Sequence, residues 1–351
     1  MKFLRLAFYV LIAQLVLSGC AGEAVEETSS SSSSEINFDA YLGRNASTRS
    51  EVTDNTHLKG TEGNSGFGVF ARYNYNGKIL SLLDTEHVTW NKDQNHWEYT
   101  NTRFWPSEGS VDFYAFAPYS TAPKLESPNK NEANPTCIYF PSNLSPIDLV
   151  WANAMERTKT NEPVKFTFNH ALARLGLDIK ANQKLEKNGA VITVNKVILY
   201  GASETSGVFV MAGYLNLENG AWTLADNGIS WFYTWTPDGK VDGNEEVKKN
   251  GTVLKLSASQ LDHTNDIITN ADDSYIFIIP QDLPKNFNLK ITYTVKQGDF
   301  EEEVTVTKNL LDVLSGDSKP YFKGGKAYVF HLKLSLDPIN FKVTPEVEPW
   351  K

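Results

Sequence analysis

Tyr328-Val329-Phe330-His331-Leu332-Lys333-Leu334-Ser335-Leu336 is the stretch that decides the fold class. Tyr328, Phe330, Leu332, Leu334 and Leu336 are apolar and fall on every second position, with His331, Lys333 and Ser335 between them. A period of two places one set of side chains on each face of an extended chain, which is the pattern of a half-buried strand. The same period recurs outward from this run. Leu289, Ile291, Tyr293 and Val295 keep it, as do Val164, Phe166 and Phe168, then Val111, Phe113, Ala115 and Ala117, then Phe67, Val69, Ala71 and Tyr73. Ile192, Val194, Ile198 and Tyr200 are read as one parity of a further strand.

Turn chemistry separates these runs. Asn74-Tyr75-Asn76-Gly77, Pro237-Asp238-Gly239-Lys240 and Lys323-Gly324-Gly325 supply the Gly, Asn, Asp and Pro that tight turns use. Helical periodicity is confined to Ala181–Asn188 and Lys308–Ser315, with a further turn at Ser257–Leu261. The chain is therefore expected to be all-β, built from antiparallel sandwiches. Its length exceeds what one sandwich needs. Two domains in tandem are expected, residues 36–185 and 190–351, divided at the polar stretch Lys184–Gly189.

Composition bounds the function. Of the 351 residues, 41% are hydrophobic and 21% charged, enough apolar material for sizeable cores. A formal charge of -9, without a Lys/Arg cluster, argues against a nucleic-acid partner. The two cysteines, Cys20 and Cys137, cannot make a disulfide framework or a four-cysteine zinc site. No apolar run is long enough to span a bilayer.

The N-terminus reads as an address. Lys2 and Arg5 precede an apolar stretch from Leu6 to Leu17, and Leu17-Ser18-Gly19-Cys20 follows. A charged start, a short apolar segment and small residues before a cut make a secretory signal, residues 1–19. The ending resembles a bacterial lipobox, which implies that Cys20 is lipidated and anchors the chain to the outer membrane. Residues 20–35 then form an acidic, Ser-rich tether through Ser29–Ser34, too polar to bury a core. Glu23, Glu26 and Glu27 resemble the export signal of Bacteroidetes surface lipoproteins and equally suit a solvated tether. Cys137, in Pro135-Thr136-Cys137-Ile138-Tyr139, is read as a small buried hydrophobe.

Catalytic signatures are missing from the sequence. None of the six histidines forms an H-E-x-x-H pair, and neither a G-x-S-x-G elbow nor a phosphate-binding glycine loop is present. Asp238–Glu246 departs from calcium-loop spacing and reads as a solvated hairpin. Trp222, Trp231, Phe232, Tyr233 and Trp235 could stack on sugars, but their parity suits a core or an interface. No metal, cofactor or enzymatic activity is expected.

Several segments, taken in order, carry a family resemblance. Gly68-Val69-Phe70-Ala71, Trp105-Pro106 followed by Val111–Tyr119, Asp148-Leu149-Val150-Trp151-Ala152, Phe166–Leu175 and Ile278-Ile279-Pro280-Gln281 resemble successive elements of the Bacteroidetes fimbrillins. Behind a lipobox, this order is similar to a Mfa-like or FimA-like type V pilin. The resemblance implies two transthyretin-like β-sandwich domains. It also implies assembly with other fimbrial subunits after an arginine-specific protease removes the tether and first strand, so that the emptied groove takes a C-terminal strand from another subunit.

Residues of this chain can be set against that scheme. Glu35–Leu42 reads as a first strand with Ile36, Phe38 and Ala40 on one face, followed by a loop at 43–50. Thr48-Arg49-Ser50 resembles the family's cleavage position, between Arg49 and Ser50, with Arg44 as the alternative site. Ile339-Asn340-Phe341 repeats Ile36-Asn37-Phe38, and two strands that fill one groove in turn should offer it similar alternate side chains. A donor-type strand is expected over 337–350, presenting Ile339, Phe341, Val343, Val347 and Trp350. The competing reading is a monomeric surface lipoprotein that binds glycan through an exposed Trp222 or Trp231. The adhesion receptor is not legible.

Overall fold

In the computed structural model the residues described are 34–42, 53–120, 123–129, 132–141, 147–182, 189–226, 230–240, 251–261, 267–268, 275–314, 322–335 and 342–349. Their strands form five sheets. Among the described residues helix is limited to two four-residue turns, Asn55–Leu58 and Leu311–Leu314, the second inside the stretch with helical periodicity. The Ala181–Asn188 stretch does not begin as a helix, because Ala181 closes a strand, and 183–188 lie outside the described residues. No helix among the described residues is long and apolar enough to cross a membrane.

The N-terminal half is organised on a six-stranded sheet. Its order is Asn169–His170, Val150–Arg157, Ser110–Ala117, Phe67–Tyr75, Lys78–Asn91 and His96–Glu98, all antiparallel. Phe67–Tyr75 and Lys78–Asn91 are joined by Asn76-Gly77, both with positive φ (50° and 75°), the backbone of a type I′ hairpin. Gly68 sits opposite Phe116 in the ladder, and a Cβ there would fall 2.4 Å from the ring. Alternating Val69, Ala71, Val111, Phe113, Ala115 and Ala117 are sealed in one core with Phe166 and Phe168.

A second core gathers residues from Ala173 onward. A seven-stranded sheet holds Val191–Tyr200, Asn288–Gln297 and Phe300–Asn309 side by side, with Ser230–Thr236 on the other flank. A five-stranded sheet centres on Ala173–Ala181 beside Lys326–Leu334. Leu175, Leu177 and Ile179 from one sheet meet Ile291, Tyr293 and Val295 from the other. The change of core falls between Phe168 and Ala173, upstream of the polar Lys184–Gly189 stretch. A four-stranded sheet, Trp222–Leu224, Gly213–Asn216, Cys137–Phe140 and Leu125–Glu126, helps build a third cluster between the halves from Phe116, Ile138, Leu172, Leu215, Phe277 and Ile279.

Two features depart from the sequence expectation. Among the described residues three strand pairs are parallel: Phe38–Tyr41 with Val164–Thr167, Ala173–Ala181 with Lys326–Leu334, and Ser230–Thr236 with Gly251–Lys255. Each joins segments far enough apart in sequence to allow the long crossover a parallel pair requires, or in the last case a long loop. The parity of Ile192–Tyr200 also breaks. The ladder shifts register between Val194 and Lys196, a bulge that inserts one residue and moves later side chains to the opposite face. Val197 and Leu199 therefore join Ile192 and Val194 in the main core, while Ile198 and Tyr200 pack with Phe232 on the other side.

Candidate functional site: a buried first strand and an exposed last one

The first strand, Phe38–Tyr41, alternates cleanly. Ile36, Phe38, Ala40 and Leu42 are buried, and Asn37, Asp39 and Tyr41 point to solvent. The three residues expected on the inner face, Ile36, Phe38 and Ala40, all lie in the N-terminal core. Phe38 is the centre of the seat. Its ring lies 5.3 Å from Tyr99, 5.8 Å from Phe113, 5.8 Å from Phe166 and 6.4 Å from Phe67. Burying Ile36, Phe38 and Leu42 contributes about 1.5–3 kcal/mol for each side chain. That sum rivals the whole stability of a typical domain, about 5–15 kcal/mol, so an empty seat would leave this core poorly held.

The backbone is held from both ends. Phe38 pairs with Val164 and Tyr41 with Thr167, and the ladder is flanked by Val164 N–H donating to Asn37 O (2.7 Å) and Phe168 N–H to Tyr41 O (2.8 Å). Upstream, Ile36 N–H donates to Arg103 O (2.8 Å) and Trp105 N–H to Ser34 O (3.0 Å). The Tyr99 hydroxyl donates to Ile36 O (2.8 Å), and burial raises the pKa of that phenol. At the far end the Asn55 side chain imitates a neighbouring strand. Its Nδ2 donates to Leu42 O and its Oδ1 accepts from Leu42 N–H, both at 2.9 Å.

Sequence reasoning did not single out Asn55, nor the knot that follows it. Thr53 N–H donates to Asp148 Oδ2 (2.9 Å), and the Thr53 hydroxyl donates to Asp148 O (2.7 Å). His170 Nδ1 lies 3.0 Å from Asp148 Oδ1. Asp148 is fully enclosed, so its carboxylate needs these partners. Asp148 and His170 both come from the segments that carried the family resemblance, and together they pin the chain at Thr53. Gln281 acts similarly elsewhere. Its amide accepts from Val210 N–H (3.0 Å) and donates to Val210 O and Ile279 O (both 2.9 Å).

The other end of the chain is built oppositely. Lys342–Pro349 runs antiparallel along Lys326–Leu334, with Val343 opposite Leu332 and Val347 opposite Tyr328, as an edge strand of its own sheet. Val343 packs on the second core, whereas Val347 is 53% exposed. Ile339, Phe341 and Trp350 lie outside the described residues, as do Cys20, Arg44, Arg49 and Ser50.

The remaining candidates take quiet places. Trp231, Tyr233 and Trp235 are core residues, and Trp222 is half-buried with its indole N–H donated to Ala171 O (2.9 Å). Cys137 is buried, which raises its thiol pKa. Asp238 Oδ1 accepts from Lys240 N–H (3.0 Å) and so closes a turn; 241–250 are outside the described residues. Among the described residues no group of three or more His, Cys, Asp or Glu could hold a metal ion.

The fimbrillin-like family model matches residues 48–350. The chain belongs to the fimbrillin-like family. That family is one of fimbrial structural and adhesion proteins, and this fimbrillin-like chain is not an enzyme. Among solved structures it is similar to a fimbrial protein from Bacteroides vulgatus ATCC 8482, at 22% identity and a TM-score of 0.62, covering 90% of this chain and 99% of the other. It is also similar to a candidate cell adhesion protein from Bacteroides uniformis ATCC 8492, at 16% identity and a TM-score of 0.50, covering 92% of this chain and 100% of the other. Among curated proteins none matches the chain.

Proposed function

We propose that this protein is a structural subunit of a cell-surface fimbria that serves adhesion, assembled by strand exchange. It travels as a lipoprotein anchored through Cys20 to the outer membrane. An arginine-specific protease cuts after Arg49, or failing that after Arg44, and releases the tether with the first strand. A C-terminal strand from another subunit, carrying Ile339, Phe341, Val343, Val347 and Trp350, then fills the seat. On this reading the body comprises two sandwich units, of the transthyretin-like kind that the resemblance implied, which meet near Phe168–Ala173.

The observation that supports this most directly is the seat of residues 36–42. A short segment buries four alternate side chains, is hydrogen-bonded mainly along one side, and precedes Arg44 and Arg49 in the sequence. The family match begins at residue 48, next to the proposed cut. The Asp148–Thr53–His170 knot would keep the new N-terminus fastened after cleavage. A head-to-tail contact of this kind builds open filaments and not closed rings. The glycan-binding alternative is not favoured, because Trp231 is buried and the Trp222 N–H is already donated.

The test is the N-terminus of protein taken from the outer surface of native cells. Intact mass should show a chain beginning at Ser50, and an unheated SDS gel a ladder of resistant multimers. A single species still carrying lipid on Cys20 would overturn the proposal.

A further inference from the structure

The edge strand Lys342–Pro349 is fastened by more than its ladder. His331, on the neighbouring strand, lies between two carboxylates from two other strands. Its Nδ1 is 2.7 Å from Asp178 Oδ2, and its Nε2 is 2.9 Å from Glu346 Oε2. Asp178 is the register partner of His331 on Ala173–Ala181, and Glu346 sits two residues beyond its partner Thr344 on the terminal strand. An ionised carboxylate can only accept, so each of these contacts needs a proton on the ring nitrogen that faces it. Both bonds are satisfied only when both ring nitrogens carry a proton, the imidazolium form.

We propose that His331 is a pH-sensitive clasp that holds the C-terminal strand on its own sheet and loosens it when the imidazole loses a proton. The geometry also sets which bond breaks. The Asp178 side chain is 10% exposed and that of Glu346 is 62% exposed. Leaving the buried carboxylate without its donor costs more than leaving the solvated one, so the remaining proton stays on Nδ1. Nε2 then turns a lone pair toward Glu346, and the terminal strand loses its fastening while the inner pair survives.

The other charged groups on this face neither remove nor duplicate the arrangement. Lys180 reaches Asp178 Oδ2 at 3.7 Å from the same side of the sheet. Lys333 and Lys342 are register partners at one end of the ladder, and Arg174 and Glu348 each lie opposite Ala327 toward the other. Partial burial alone would lower the His331 pKa, but the bonds to Asp178 and Glu346 outweigh it and the net displacement is upward. The sign follows. The clasp is complete below the ordinary histidine pKa and is lost as pH rises through the raised value. The clasp does not depend on the assembly scheme. Only its consequence, that pH would set when the strand can be handed to another subunit, rests on that reading.

Amide hydrogen exchange on the uncleaved chain, whose first strand still fills its own seat, tests it at pH 5.5, 7.0 and 8.5 with intrinsic rates divided out. Protection over 342–349 should fall roughly two- to fivefold across that range, the worth of one partly exposed ion pair. Protection over Asn288–Gln297 should not change. Glu346→Gln, a solvent-facing substitution that leaves the core intact, should abolish the pH dependence, and His331→Gln should do the same. The His331 ring resonances should titrate with the midpoint seen in the exchange data. A terminal strand whose protection is indifferent to pH, or a pH dependence that survives in the Glu346→Gln chain, overturns the clasp.

Discussion

Phe38→Ala tests whether the first strand is a keystone of the N-terminal core. The Phe38 ring is 4% exposed and touches rings from four segments: Phe67, Tyr99, Phe113 and Phe166. Truncation removes the ring and leaves a void that neighbours on two opposed layers cannot readily close. Buried Phe→Ala changes cost about 3–5 kcal/mol, and this site belongs near the upper end because the lost edge-to-face pairs add to the lost burial. At tenfold per ~1.4 kcal/mol, exchange protection along Val164–Thr167 should fall by at least two orders of magnitude. Asn288–Gln297, which lines the second core, should keep its protection. The measurement is hydrogen exchange read by mass on the uncleaved chain, which still carries residues 36–42. A loss below about tenfold would refute the keystone argument. An equal loss in Asn288–Gln297 would refute the separation of the two cores.

The remaining predictions concern the groups around that strand. Asn55→Ala removes both side-chain bonds to Leu42, and at about 1–3 kcal/mol for stranded buried groups the exchange of residues 40–42 should accelerate at least fivefold. Asp148→Asn keeps the volume but weakens the ties to Thr53 and His170; thermal unfolding of the N-terminal core should move down by several degrees, corresponding to about 1–3 kcal/mol. Tyr114 is pushed up to about 12, by burial first and then by the charges of Asp112 and Glu218. Its folded form therefore holds the phenol proton longer than the unfolded chain does, and stability should decline as pH rises above the ordinary tyrosine value. Ultraviolet titration should show a late phenol that Tyr114→Phe removes.

Strand periodicity made most of the architecture legible. The runs at 67–73, 111–117, 289–295 and 328–334 all became strands with the apolar parity in a main core, although Phe67–Ala71 and Phe113–Ala117 are buried on both faces, with Phe70, Tyr114 and Phe116 packing into the third cluster. The method failed where geometry breaks the period. The bulge at Asn195 leaves no trace in residue type, so Ile198 and Tyr200 were assigned to the face that Val197 and Leu199 occupy. Strand partners were equally silent. Nothing in Glu35–Leu42 announces a parallel neighbour more than a hundred residues away. The inner face of the first strand was readable because alternation is a local property. Asn55, Thr53, Asp148 and Gln281 were not, because their work is to bond backbone groups brought close only by the fold. Asp148, His170 and Gln281 had entered through the family resemblance, which said that they belong to a pattern but not why.

The two terminal strands use their apolar faces unequally, and this asymmetry bears on the proposed exchange. The first strand has four register-paired residues and buries every inward side chain. The last has eight register-paired residues yet leaves Val347 in solvent and tucks in Val343 only partly. Moving the last strand into an emptied seat would therefore trade backbone pairing for side-chain burial. Each net hydrogen bond is worth about 0.5–1.5 kcal/mol, and much of the loss is returned by water at an exposed edge. Each large apolar side chain gains about 1.5–3 kcal/mol on burial. The balance favours exchange only if the incoming residues match the pockets vacated by Ile36, Phe38 and Leu42, which is where the repeated Ile-Asn-Phe has its physical meaning. Side-chain match, and not ladder length, would then decide which strand a subunit accepts.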